Sequence, residues 1–237
     1  MQSNKIGFYR QLSFPRSQTA LSQPIYRVIL SVFLFESAFI MVTRVPQSFV
    51  WNPRLLAFNI LFLLWLIMEA SRVRLGHRKA KTYGKFSRSF LIVSVSCLLL
   101  AVLESSSGNR LGGGTWMYLS MAVGTCMFSV GVYLRHLSIR TLGKYFVTKV
   151  QIAEEHQLVT HGIYSVIRHP SYTGLILGFL GLLIFSQSIL GILTFIFLAL
   201  PLYLYRITIE ERALIEAFRE QYVIYRKNTY RLLPRVF

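Results

Sequence analysis

The chain has 237 residues, 54% hydrophobic and 15% charged, with 26 Lys plus Arg against 9 acidic residues and a formal net charge of +17. That apolar share excludes an ordinary soluble domain, and basic residues confined to short segments between apolar runs exclude a continuous nucleic-acid-binding face. Cys97 and Cys126 both lie in apolar runs and provide neither a disulfide framework nor a metal-ligand spacing.

The first long apolar run covers residues 25–42. It follows a polar lead and lacks a small-residue exit site, so it reads as a span and not as a cleaved signal peptide. Glu36 sits in its middle. A carboxylate there needs an interhelical hydrogen bond, a polar cavity, or a short or tilted span. Further runs cover 55–70, 90–103 and 115–134, with Glu69 and Glu104 near span ends as expected interface residues. The last run, 173–205, is too long for one crossing, since about 20 residues traverse the hydrocarbon. Ser186, Gln187 and Ser188 divide it into a tight helical hairpin.

The expected fold is therefore all-α, a multispan integral membrane protein with about six transmembrane helices; a five-span reading merges one. Residues 1–134 comprise a cytosolic lead and four spans. Residues 135–237 comprise a connector, the hairpin and a C-terminal helix, and hold the functional region. Only Arg44, Arg54 and Arg110 fall on the loops opposite the remaining basic residues. The positive-inside rule accordingly places both termini and the two long basic loops in the cytoplasm. The same basic surface would attract anionic lipid headgroups and an anionic substrate.

Two cytosolic stretches, 135–174 and 206–234, flank the hairpin and should meet at one membrane face. In HGIYSVIRHPSYTG, residues 161–174, Gly162 permits a turn. Pro170 fits the first turn of the next helix and restricts His169 toward extended geometry. In the second stretch, Ile209, Ala213, Ile215, Phe218 and Tyr222 form a helical apolar stripe. Glu210 and Glu211 are expected in its first turns, where acidic groups suit the helix dipole. The spacing of four puts Arg206 and Glu210 on one face, either ordering a polar site or terminating the span. Tyr164, Tyr172, Tyr222 and Tyr225 suit an interfacial aromatic belt as well as a site. His156, His161 and His169, spaced by five and eight without Cys or Asp, match no metal pattern, and no metal is expected. Serine-elbow, phosphate-loop and dinucleotide fingerprints are absent.

LVTHGIYSVIRHPSYTG at 158–174 and EERALIEAFREQYVIY at 210–225, with the weaker RTLGKYF at 140–146, resemble the isoprenylcysteine carboxyl methyltransferase family, prokaryotic relatives included. The resemblance covers roughly the last 100 residues. It implies S-adenosylmethionine bound at the cytosolic end of the final helices. His156, Leu158 and Val159 match the family's cofactor-facing His-x-Leu-Val element. Gly162 and Tyr164 match the following turn, and His169, Pro170 and Tyr172 match the RHPxY wall. Glu210 and Glu211 match the acidic pair, and Arg168 and Arg206 match arginines implicated in activity. The chain departs from the family in having Phe218–Arg219 where Phe-Gly is frequent, and in a terminal turn, 230–234, without glycine.

On that resemblance the reaction is methyl transfer to the carboxylate of a prenylated cysteine or similar lipidic thiol-carboxylate. Such an acceptor is already ionised near neutral pH and needs no general base. Arg168, helped by Arg206 directly or through Glu210, is the expected carboxylate clamp, because a guanidinium holds two oxygens in one plane. Glu210 or Glu211 would bind the cofactor's amine. The partner is a lipidic acceptor such as a prenylated protein or peptide C terminus. The alternative is another membrane lipid, such as a phospholipid amine. The expected location is the inner membrane of a prokaryote or the endoplasmic reticulum of a eukaryote; the sequence gives no oligomeric state.

Overall fold

The computed structural model describes residues 57–58, 60–65, 81–82, 96, 100–101, 104, 114–146, 151–152 and 157–235. The span expected over 25–42, with Glu36, and the residue Glu69 lie outside them; the described positions within 55–70 and 90–103 are helical. Among the described residues, two helices are long and apolar enough to cross a membrane.

The first, α1, runs from Thr115 to Leu142, about 42 Å at 1.5 Å per residue. The apolar run ends at 134, yet the helix continues two turns further, because nothing in RHLSIRTL breaks it before Gly143. There a φ of 54° ends the helix, and the Gly143 amide donates to the Ile139 carbonyl. The boundary drawn at 134/135 thus falls inside a helix, and Arg135 and Arg140 stand on α1 instead of in a connector. A short antiparallel pair follows: β1, Lys81–Thr82, faces β2, Gln151–Ile152. Each strand comes from one of the two long basic loops, a pairing the hydropathy pattern did not indicate.

The next helix, α2, spans Pro170–Ser186, with proline in its first turn as expected. It stops where the polar residues interrupt the last apolar run: Gln187 is left-handed at φ 57°, and its amide donates to the carbonyls of Leu183 and Ile184. The returning helix, α3, covers Ile189–Phe218. Ser188 caps it, its hydroxyl oxygen accepting from the Gly191 amide at 2.9 Å. Glu104, expected at the interface, is instead buried against this cap. One of its oxygens accepts from the Ser188 hydroxyl at 2.6 Å and from the Leu190 amide at 2.9 Å. A carboxylate at the positive end of a helix explains the correction.

A π-helical turn, Phe195–Ala199, interrupts α3 just before Pro201, which has no amide to donate. Ile196, Phe197 and Leu198 are exposed there, as are Trp116, Tyr118 and Tyr133 on α1, which is the surface expected of helices facing hydrocarbon. Beyond residue 205 the helix continues without a break, so Glu210 and Glu211 sit in its interior and not in the first turns of a new one. It ends at Arg219, and a short helix, α4, follows over Glu220–Lys227.

Glycine sets the spacing of α1 and α2. A Cβ at Gly131 would sit 2.5 Å from the Gly178 amide nitrogen and 2.6 Å from the Gly174 carbonyl oxygen. Between hydrophobic helices in lipid, such close backbone approach is the main source of association. The buried residues of α1, namely Gly124, Phe128, Gly131, Arg135 and Ser138, repeat every three or four positions along this face. Trp65 covers it, with its ring 5.7 Å from both Phe128 and Phe179. On the other side of α2, Phe179 stacks on Phe195 at 6.1 Å, which leads through Phe195 and Tyr203 to Tyr172. That aromatic chain ends at the polar base of the hairpin.

Candidate active site

The two segments flanking the hairpin meet at that base, as their positions predicted. Gly162 turns the chain at φ 61°, and Gly162–Ser165 form one 3-10 turn. Its Tyr164 is buried and is held by the Tyr225 hydroxyl, which donates to the Tyr164 carbonyl at 2.7 Å. Residues 166–169 then run beside the C-terminal segment. The Tyr230 amide donates to the Val166 carbonyl at 2.9 Å, the Arg168 amide to Tyr230 at 2.8 Å, and the His169 amide to Arg231 at 3.1 Å. The Thr173 hydroxyl adds a bond to the Leu232 carbonyl at 2.8 Å. Pro170 donates nothing, so the peptide groups around it are satisfied by chain distant in sequence.

Glu211 is the hub of the charged groups. It is buried, and one oxygen accepts from Arg168 Nε at 3.0 Å while lying 3.3 Å from His169 Nε2. Its other oxygen is 3.3 Å from Arg231 Nη2, which also donates to the Thr208 hydroxyl at 2.8 Å. Arg168 Nη1 donates to the Arg226 carbonyl at 3.0 Å and to the Thr229 carbonyl. These oxygens belong to the last turn of α4 and the residues after it, where a cation offsets the helix dipole. Arg168 thus links three parts of the chain, and a carboxylate buried at such a junction requires the cations around it.

A second set lies beside the first. The Tyr172 hydroxyl donates to Glu210 Oε2 at 2.8 Å and accepts from Arg206 Nε at 2.9 Å. His169 Nδ1 lies 3.8 Å from Glu210 Oε1. Arg206 and Glu210, placed on one face by their spacing, are thereby joined through Tyr172. The Glu210 side chain retains 32% exposure against 7% for Glu211. The adjacent carboxylates therefore differ in environment: Glu211 is enclosed by cations, and Glu210 opens outward.

Burial pushes the Tyr164 and Tyr222 hydroxyls well above the ordinary tyrosine range, with nearby Glu210 adding to the shift at the first and Glu211 then Glu210 at the second. Burial also raises Tyr225, to about 12, against the opposing charge of Arg168. All three are neutral near pH 7 and act as hydroxyls.

Leu158 and Val159 are half-buried in the segment leading to Gly162, and Pro170 is buried. His156 lies outside the described residues. Among the described residues, no three metal-ligating side chains cluster. On the sequence alone, Arg135 is one more topogenic charge. It is buried, donates from Nη1 to the Ser171 hydroxyl at 2.6 Å, and lies 5.8 Å from the Phe146 ring centroid. Its periodicity with Gly124, Phe128 and Gly131 was the available signal.

The fold and site define an α-helical membrane-type protein with a polar cluster at the base of a helical hairpin. Residues 122–216 match the model of the isoprenylcysteine carboxyl methyltransferase (ICMT) family. Probable protein-S-isoprenylcysteine O-methyltransferase of Oryza sativa subsp. indica is 30% identical over 114 residues, 47% of this chain and 60% of the relative. The protein-S-isoprenylcysteine O-methyltransferase of Saccharomyces cerevisiae is 33% identical over 112 residues, 46% and 47% of the two chains. That of Tribolium castaneum is 34% identical over 114 residues, 47% and 41%. The chain thus spans between about two fifths and three fifths of these relatives. A solved structure of the eukaryotic intramembrane Ras methyltransferase ICMT shares the fold, with a TM-score of 0.60 and 24% identity over 79% of this chain and 69% of that one.

Proposed function

We propose that the protein is an S-adenosylmethionine-dependent methyltransferase acting on the carboxylate of a prenylated cysteine or a similar lipidic thiol-carboxylate. The observation carrying this reading is the convergence of His169, Tyr172, Arg206 and the Glu210–Glu211 pair at the base of the α2–α3 hairpin, within the matched family region. Bound there, S-adenosylmethionine supplies an electrophilic methyl group on a sulfonium sulfur.

The residues present suit such a ligand. Glu210, anionic and partly exposed, fits a cationic amine. The turn at Gly162 has φ 61°, a backbone conformation that favours glycine. Leu158, Val159, Tyr164 and the His169–Tyr172 wall offer apolar and aromatic surface for an adenine ring. His156 belongs to this proposed set by family resemblance.

Arg168 directs its Nε and Nη1 to Glu211 and to two backbone carbonyls, which supports a positioning role. The acceptor carboxylate accordingly falls to Arg206, held beside the site by Tyr172. The acceptor needs no proton removed, so these side chains contribute orientation and exclusion of water. The lipid tail would lie along the apolar helix surfaces in the membrane, with the basic loops and both termini on the cytoplasmic side.

The test is transfer of labelled methyl by the full chain in lipid, offered a farnesylated cysteine analogue beside a total lipid extract. A base-labile methyl ester on the cysteine analogue is expected. Label on a phospholipid amine would replace the acceptor assignment, and no transfer to either would refute it.

A further inference from the structure

Tyr222 lies on α4 with 1% of its surface exposed, its ring edge-on to that of Tyr225 at 5.8 Å. Its hydroxyl is buried and has no hydrogen-bond partner among the described residues. The neighbouring tyrosines differ: Tyr172 donates to Glu210, and Tyr225 donates to the Tyr164 carbonyl. A buried hydroxyl left unpaired lowers stability, and phenylalanine would fill the same space without that cost. Packing alone therefore gives no reason for the oxygen.

Its surroundings do. The charges acting on the hydroxyl are those of Glu211 and Glu210, opposed by Arg168. The two carboxylates together outweigh Arg168 there, Glu211 acting more strongly than Glu210. A neutral hydroxyl in a negative field, with its lone pairs unused, is suited to accept a hydrogen bond from a cation. We infer that Tyr222 is a ligand-binding residue whose hydroxyl accepts a hydrogen bond from the cationic amino group of the bound methyl donor. The inference rests on the cofactor reading above and assigns to it a residue to which the family resemblance gave no role. Glu210 and Tyr222 then hold the amino group from α3 and α4, so ligand binding also fixes α4 against the hairpin.

The test compares the full chain with Tyr222→Phe in lipid nanodiscs. Calorimetry measures binding of S-adenosylhomocysteine and of its analogue lacking the amino group, and thermal unfolding is recorded without ligand. The expected result is an unchanged or raised Tm, about tenfold weaker binding of S-adenosylhomocysteine, and unchanged binding of the deamino analogue. Equal affinity of both proteins for S-adenosylhomocysteine would overturn the inference while leaving the cofactor reading standing. An equal loss for both ligands would overturn the assignment to the amino group, and a lowered Tm would point to a partner within the protein. If the unaltered chain binds neither ligand, the cofactor reading falls and this inference with it.

Discussion

Replacing Gly131 with alanine tests whether helix spacing governs the site. The new Cβ would stand 2.5 Å from the Gly178 nitrogen, 2.6 Å from the Gly174 oxygen and 2.8 Å from the Gly178 Cα. Comfortable contacts between heavy atoms begin near ~3.5 Å, so α1 and α2 must separate by about 1 Å. The obstacles are backbone atoms, which no rotamer change can move. Overpacking of this kind costs about 1–3 kcal/mol. Tyr172 lies two residues before Gly174 on the displaced helix, and its 2.8 Å bond to Glu210 does not survive a shift of that size in the unfavourable direction. A misplacement of ~1 Å in a positioned site lowers turnover by about 100-fold.

Gly124→Ala provides the comparison. Its Cβ would meet Gly181 and Phe185 with equal severity, 2.6 Å from each nearest atom, but nine or more residues along α2 from Tyr172, at least ~13 Å. Thermal unfolding in lipid and methyl transfer should therefore separate the variants: both lose stability, and Gly131→Ala loses far more activity. Val130→Ala, on the exposed face of α1, should change neither by much. Full activity and unaltered stability in Gly131→Ala would refute the reasoning.

Glu211→Gln leaves Arg168, Arg231 and His169 around a neutral amide, and should cost about 3–5 kcal/mol in thermal or denaturant unfolding; a loss below 1 kcal/mol would show that the cluster is solvated. Arg219 holds φ 47° and ψ −121°, a conformation that favours glycine, so Arg219→Gly should stabilise the junction of α3 and α4 by about 1 kcal/mol, read as a raised Tm. Glu104→Ala removes the acceptor for Ser188 and Leu190 at the far end of the hairpin. It should lower stability by about 1–2 kcal/mol while S-adenosylhomocysteine affinity stays at the unaltered value; a tenfold affinity loss would mean that the two ends of the hairpin are coupled.

The hairpin was legible because Ser186, Gln187 and Ser188 interrupt an apolar run too long for one crossing, and proline marked the start of α2. Helix α1 was misjudged at its end for a physical reason: hydropathy reports where lipid contact stops, not where backbone hydrogen bonding stops. Only Gly143 supplies the conformation that ends the helix. The same distinction accounts for Glu210 and Glu211, which lie past the apolar run yet inside one continuous helix. The meeting of the two flanking segments followed from the hairpin, but the partners within it did not. Spacing placed Arg206 beside Glu210 without revealing that Tyr172 joins them. It gave no indication that Arg168 caps α4, since that bond spans 58 residues. Arg219 carried a signal in the glycine it replaces, which marks a backbone position with positive φ.

The proposed donor site has two halves, the turn before α2 and the end of α3. Calorimetric binding of S-adenosylhomocysteine to the full chain in lipid, beside Glu210→Gln, tests it most directly. One equivalent should bind per chain, with affinity reduced about tenfold or more in the variant. Absence of binding to the unaltered protein, or identical affinity for both, would contradict it.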